Sequence, residues 1–180
     1  TVNRARYFFA GNVLMAEGKY VNEKRDSTWK FYSSPNVLAS VENFKNGKKH
    51  GQETNYGPAG NILEEKTWKD SVLNGPWKQF HEDRSIKTEG MYKNGFLEGE
   101  VRFYFPGKLI ASVGQYQHSV KHGKWIYYDR RGLIVTGTEY FDLGIQHGDF
   151  LEWHDENGKP KSKGRYVKGN KEGKWEFWDK

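Results

Sequence analysis

From Ser27 to the end of the chain a glycine returns every 24 or 25 residues, and an aromatic follows each one five positions later. Gly51, Gly75, Gly99, Gly123, Gly148 and Gly173 mark the register, with Ser27 in the same slot. The aromatics are Tyr32, Tyr56, Phe80, Tyr104, Tyr128, Trp153 and Trp178. Counting back one period puts Asn3 in the marker slot and Phe8 in the aromatic slot. So short a period means stacked copies of one supersecondary unit, not a globule around a single pocket. The units are residues 3–26, 27–50, 51–74, 75–98, 99–122, 123–147 and 148–172, with a partial copy at 173–180, all in one repeat domain.

Number each unit from its marker as position zero. Position two is Trp29, Trp77, Val101, Trp125, Phe150 and Trp175, with Glu53 the exception. Position eleven is aliphatic at Leu14, Leu38, Ile62, Ile86, Ile110 and Ile134. Position seventeen is aromatic at Tyr20, Phe44, Trp68, Tyr92, Tyr116 and Tyr140, with Tyr166 one step later. Turn residues separate these runs, among them Pro58-Ala59-Gly60, Pro106-Gly107 and Asn157-Gly158. Asn46-Gly47 and Asn94-Gly95 favour the type I′ hairpin turn, in which both central residues take positive φ. Each unit therefore reads as strand, turn, strand, turn.

The fold class expected is all-β: an elongated, single-sheet antiparallel meander of about eight hairpins. Sixteen strands at about 4.8 Å spacing would make an unclosed ribbon about 75 Å long. Positions five, eleven and seventeen share a face if no bulge intervenes, because strand side chains alternate. The aromatic ladder Tyr32, Tyr56, Phe80, Tyr104, Tyr128, Trp153 and Trp178 is read as structural. Small residues such as Gly18, Gly90 and Gly114 leave room for a ring to lie over the backbone. The tryptophan at position two needs a bulge or the opposite face.

Aromatics make up 16% of the chain and mean hydropathy is −0.96, so rings must carry most of the burial. There is no cysteine, which excludes disulfides and thiol chemistry. Net charge is +6, but 23 acids interleave with 29 bases and no dense basic block occurs, so nucleic acid is not the expected partner. The chain begins Thr-Val-Asn, and an extracytoplasmic location stands level with a cytoplasmic one.

Asn46-Gly47-Lys48-Lys49-His50-Gly51, Lys121-His122-Gly123-Lys124-Trp125-Ile126-Tyr127-Tyr128 and Glu172-Gly173-Lys174-Trp175-Glu176-Phe177-Trp178 resemble the MORN repeat family in its bacterial variant form. Tyr92-Lys93-Asn94-Gly95-Phe96-Leu97-Glu98-Gly99 matches the front half of that pattern. The turns at Gly57-Pro58 and Val72-Leu73-Asn74 depart from it. The resemblance implies an antiparallel β-meander without intrinsic catalysis. It also implies scaffolding, protein contact or lipid association, and some relatives carry an antitoxin label.

No catalytic constellation assembles from the residues. His50, His122 and His147 each precede a marker glycine; His122 and His147, in successive units, stand two strands or about 9.6 Å apart, too far to share one zinc. His81-Glu82-Asp83 and His154-Asp155-Glu156 read as hydrophilic turns. No metal, cofactor or enzymatic activity is expected. The leading expectation is a non-catalytic scaffold for an unidentified protein partner, or for a second copy of the chain. The alternatives are an envelope-associated binder of glycan or anionic lipid, and an antitoxin-like neutraliser. The candidate contact residues are Trp29, Trp77 and Trp125, with Lys48, Lys49, Lys121 and Lys171 at turn tips.

Overall fold

The computed structural model describes residues 1–154 and 158–179. Its seventeen strands form one antiparallel sheet built of consecutive hairpins. Ala10–Asn12 is a single 3₁₀ turn, and no α-helix occurs among the described residues. Two passes are each interrupted by one residue, Glu98 and His147, so the chain crosses the sheet fifteen times. The chain packs as two compact units: residues 1–84 with 92–95, and residues 85–91 with those from 96 onward.

Two bulges recur along the repeats. The first separates positions four and five, at Phe31/Tyr32, Asn55/Tyr56, Phe103/Tyr104 and Tyr127/Tyr128. The second lies at the marker, where the register jumps between Glu42 and Phe44 and between Gly114 and Gln115. The marker residue takes positive φ throughout, from 60° at Ser27 to 133° at Gly75. Glycine holds that conformation without steric cost, which is why it recurs there.

These bulges reset the alternation of faces, so positions five, eleven and seventeen do not share one. Five and eleven do pair directly, as Tyr32↔Leu38, Tyr56↔Ile62 and Tyr104↔Ile110. The Tyr32 and Tyr104 hydroxyls donate to Glu17 and Glu89, one residue before Gly18 and Gly90 and hence on the opposite face from those glycines. Position seventeen joins positions two and four on the other face. There Trp29 meets Phe31, Phe44 and Tyr20 at centroid distances of 6.1, 6.4 and 5.1 Å.

In the 25-residue unit at 123–147 the extra residue falls between positions five and eleven, since Tyr128 pairs with Val135 rather than Ile134. Everything beyond moves one step. Phe141, not Tyr140, therefore takes the position-seventeen slot, opposite Gly123 and 6.5 Å from Trp125. Tyr140 is exposed. The Asn157 turn and the acids of His154-Asp155-Glu156 lie outside the described residues.

All seven turns on the marker side have positive φ at both central residues, including Asn46 and Gly47 at 52° and 83° and Asp70 and Ser71 at 51° and 67°. This is type I′ geometry. Leu143 occupies the first such site at φ 44°. A branched side chain there costs about 1 kcal/mol against a residue suited to left-handed backbone. Leu143→Asn is therefore expected to raise stability by about 1 kcal/mol in urea titration. An unchanged or lower midpoint would remove turn strain as a factor at this site.

Candidate functional site

The tryptophan of one repeat lies on the glycine of the preceding one. A Cβ added to Gly18 would fall 2.2 Å from the Trp29 ring, one on Gly114 2.2 Å from Trp125, and one on Gly164 2.3 Å from Trp175. Trp29 is 0% exposed and Trp125 1%. Their indole N–H groups donate to the carbonyls of Lys19 and Gln115. Trp77 is half-buried and donates to Glu64 at 2.9 Å. Trp29 and Trp125 are thus core rings with no surface to offer a partner, contrary to the contact role expected of them. The bulges turn position two inward, and burying a flat indole over glycine gains more apolar area than leaving it in water.

A second regularity escaped the sequence reading. Two residues before each marker is a slot that pairs across the hairpin with the position-seventeen ring: Tyr20↔Arg25, Phe44↔Lys49, Tyr116↔Lys121 and Tyr166↔Lys171. In those four repeats the slot holds a cation above rings. Arg25 stands 4.7 Å from the Trp29 centroid, Lys121 4.2 Å from Trp125, Lys171 4.2 Å from Trp175 and Lys49 5.2 Å from Trp68. Burial pushes the Lys121 ammonium below its usual range. Lys49, Lys121 and Lys171, each near the end of its unit, therefore lie over rings of the next unit rather than projecting from turn tips as expected. Lys48 is exposed at the edge. The spacing of these four cations, always two before the marker, was the available signal.

The repeat at 51–74 replaces the indole with charge. Glu53 is 4% exposed and faces Glu42 directly across the strands. Lys49 Nζ bridges them at 2.6 and 2.9 Å, and Lys66 Nζ joins Glu53 at 3.2 Å and Glu64 at 3.0 Å. Trp68 Nε1 donates to Glu53 at 2.9 Å. Burial alone would raise the Glu53 carboxyl, but the hydrogen bond and charge of Lys49, then Lys66, hold it below its ordinary value. The network is internally satisfied, as a buried polar group must be.

At five of the markers the residue just before accepts a hydrogen bond from the next turn, whereas His50, before Gly51, leaves its buried Nδ1 without a hydrogen bond among the described residues. Asp26, Asn74 and Glu98 side chains take the backbone N–H of Asn46, Asn94 and His118. His122 and His147 Nδ1 do the same for Leu143 and Lys168, at 3.4 Å. Acids, amides and imidazoles interchange here because all three can accept. Among the described residues no group of three His, Asp or Glu side chains converges as a metal site.

The family model described as MORN repeat variant matches residues 49–70 and 146–168. Both segments start at the slot two before a marker and run to the next type I′ turn, the same stretch that the packing repeats. The chain carries MORN-variant repeats. No curated protein sequence matches it. In phase, each MORN-variant repeat contributes a slot residue, a position-two side chain and a position-seventeen ring to one face.

The loops opposite the type I′ edge differ among the MORN-variant repeats, and that at 128–135 is tied through Asp129. Asp129, 5% exposed, accepts from the N–H groups of Leu133 and Ile134 at 2.9 and 3.0 Å and from Arg131 Nε at 2.6 Å. The Ile134 hydrogen bond and then Arg131 hold its carboxyl down at about 2. A depressed carboxyl stabilises the fold above its ordinary value of 3.8, and that contribution is lost as pH falls toward 2. The amides of Leu133 and Ile134 are expected to titrate with a midpoint near pH 2 by NMR. A midpoint at 3.8 would mean that the loop does not hold the carboxylate.

Proposed function

We propose that the chain is a non-catalytic repeat scaffold that engages another protein along the type I′ turn edge of its second unit. The observation that carries this reading is a row of exposed apolar side chains on that edge. Phe96, Val120 and Ile145 stand three residues before successive markers, and Leu143 sits in the intervening turn; all four are exposed. Adjacent turns are tied to one another, with Ser119 N–H donating to Leu97 O, Gly144 to Lys121 O and Gly169 to Gln146 O. The row is therefore continuous, and none of its members is needed for the ring stack beneath. Contiguous exposed apolar side chains rimmed by polar ones are the usual signature of an interaction surface. In the first unit the same position is Lys24, Lys48 and Val72, so Lys48 belongs to an edge that is more basic there.

A glycan or anionic-lipid reading draws less support, because three of the four lysines that motivated it lie over rings of the sheet itself. The test is capture from native extract by the intact chain and by the Phe96→Ser/Val120→Ser/Ile145→Ser variant, after circular dichroism shows both folded. A protein held by the intact chain and lost by the variant supports the edge. Equal capture by both refutes it. Binding to anionic vesicles that disappears at high salt, without protein capture, would favour lipid.

A further inference from the structure

We propose that the cleft between Tyr127, Glu139 and Phe150 receives a lysine or arginine side chain presented by a protein partner. The proposal rests on the scaffold reading and gives that partner a chemistry.

The repeats themselves supply the template. Opposite the position-seventeen ring, four slots carry a cation of the chain's own: Arg25, Lys49, Lys121 and Lys171. The slot opposite Phe141 carries Gln146 instead. Yet the acid that such a cation would meet is present. Glu139 faces Trp125 in the hairpin as Glu42 faces Trp29, so the two glutamates are equivalent in the repeat. Glu42 is answered by Lys49 at 2.9 Å. Glu139 receives the Tyr127 hydroxyl at 3.2 Å and has no ion pair among the described residues. Lys121 reaches it through that hydroxyl, donating to Tyr127 at 3.0 Å.

The space is there as well. Where other repeats set a tryptophan flat on glycine, this one sets Phe150 beside Glu139, and a cavity of about 200 Å³ opens, lined also by Thr136, Gly137 and Leu151. Glu152 on its rim is already committed to Lys161 at 2.7 Å and Ser162 at 2.9 Å, so the free charge is that of Glu139. Two ring walls and one carboxylate suit an alkyl stem ending in a cation, which packs its methylenes on the rings and meets the acid with its head.

The test is an NMR titration of the whole chain with Nα-acetyl-lysine amide, with Nα-acetyl-norleucine amide as the uncharged control. Saturable shifts at the Gly137 and Leu151 amides are expected with the lysine probe and not with norleucine. Glu139→Gln should weaken the response about tenfold, the loss of one charge-assisted hydrogen bond. Gln146→Lys, which installs the cation its neighbours hold, should abolish it while leaving the fold intact. No saturable response, or one that survives both substitutions, overturns the cleft. The outcome is separable from that of the scaffold reading. A silent cleft with protein capture still lost on changing the turn edge sinks only the cleft. A responsive cleft without such capture sinks only the edge.

Discussion

Gly114→Ala is expected to destabilise the chain by about 3 kcal/mol, the upper end of what forced overpacking costs in a well-filled core. The added methyl would sit 2.2 Å from the indole of Trp125, inside any real contact distance. The ring has nowhere to retreat. Phe103, Tyr116, Tyr127 and Phe141 surround it at centroid distances from 5.4 to 6.5 Å, and Lys121 closes it from the slot. Accommodation requires the strands to separate or the indole to leave the stack. Gly137→Ala is the control, because a Cβ there meets nothing nearer than 3.5 Å and the backbone φ is not positive. A glycine in open strand gains from acquiring a side chain, so Gly137→Ala should leave stability unchanged or slightly higher. Urea unfolding followed by tryptophan fluorescence distinguishes the two. Equal midpoints for both variants would mean that the indole does not rest on glycine in solution.

The second large effect concerns Glu53. Its replacement by alanine leaves Lys49 and Lys66 half-buried with one acid fewer each, and removes the acceptor of Trp68 Nε1. Breaking a buried ion pair from one side costs about 3–5 kcal/mol, and the partial exposure of the lysines places this case near the lower figure. Glu53→Gln keeps an acceptor for Trp68 and loses the charge, so it should fall between alanine and the parent. The pH dependence carries a sign. Glu53 and Glu64 are both held below the ordinary carboxylate value of 4.5 against the opposing effect of burial. Their contribution is complete above that value and lost as pH falls through the lower, folded one. Lys49 and Lys66 are raised above 10.5 by their glutamates, again against burial. Their contribution is complete below 10.5 and lost as pH rises through the folded value. The parent should therefore lose stability at both extremes, and Glu53→Ala should flatten the acid limb. An acid limb as steep in Glu53→Ala as in the parent would place the pH dependence elsewhere.

Much of this was legible in the chain. The period, the hairpins, the I′ turns at Asn46-Gly47 and Asn94-Gly95, and the glycine beneath a ring follow from residue spacing and turn chemistry. The face on which each ring lies did not. Alternation predicts faces only while the register is unbroken, and two recurring bulges break it. One of them sits on the marker itself, where Ser27 holds positive φ as the glycines do. Spacing alone leaves position two either on a bulge or on the opposite face, and Trp29 and Trp125, candidate contacts on that basis, lie in the core. The extra residue in the 123–147 unit was counted, but only strand pairing locates it before position eleven. Tyr140 and Phe141 cannot otherwise be told apart. Glu53 stands out as the exception at position two; Lys49 lies four residues before it on the same strand, across the marker bulge, and Lys66 meets it only through the register.

A chain of near-copies has a hazard of its own: a strand can align one copy out of step and still alternate correctly. Here the departures from uniformity act against it. Displaced by one copy, Glu53 would press on Gly18, where a flat indole belongs, and Glu42 would lose Lys49. Either error strands a charge in a place built for something else. The irregular copies thus serve as serial numbers, and a sequence that is almost periodic retains one alignment.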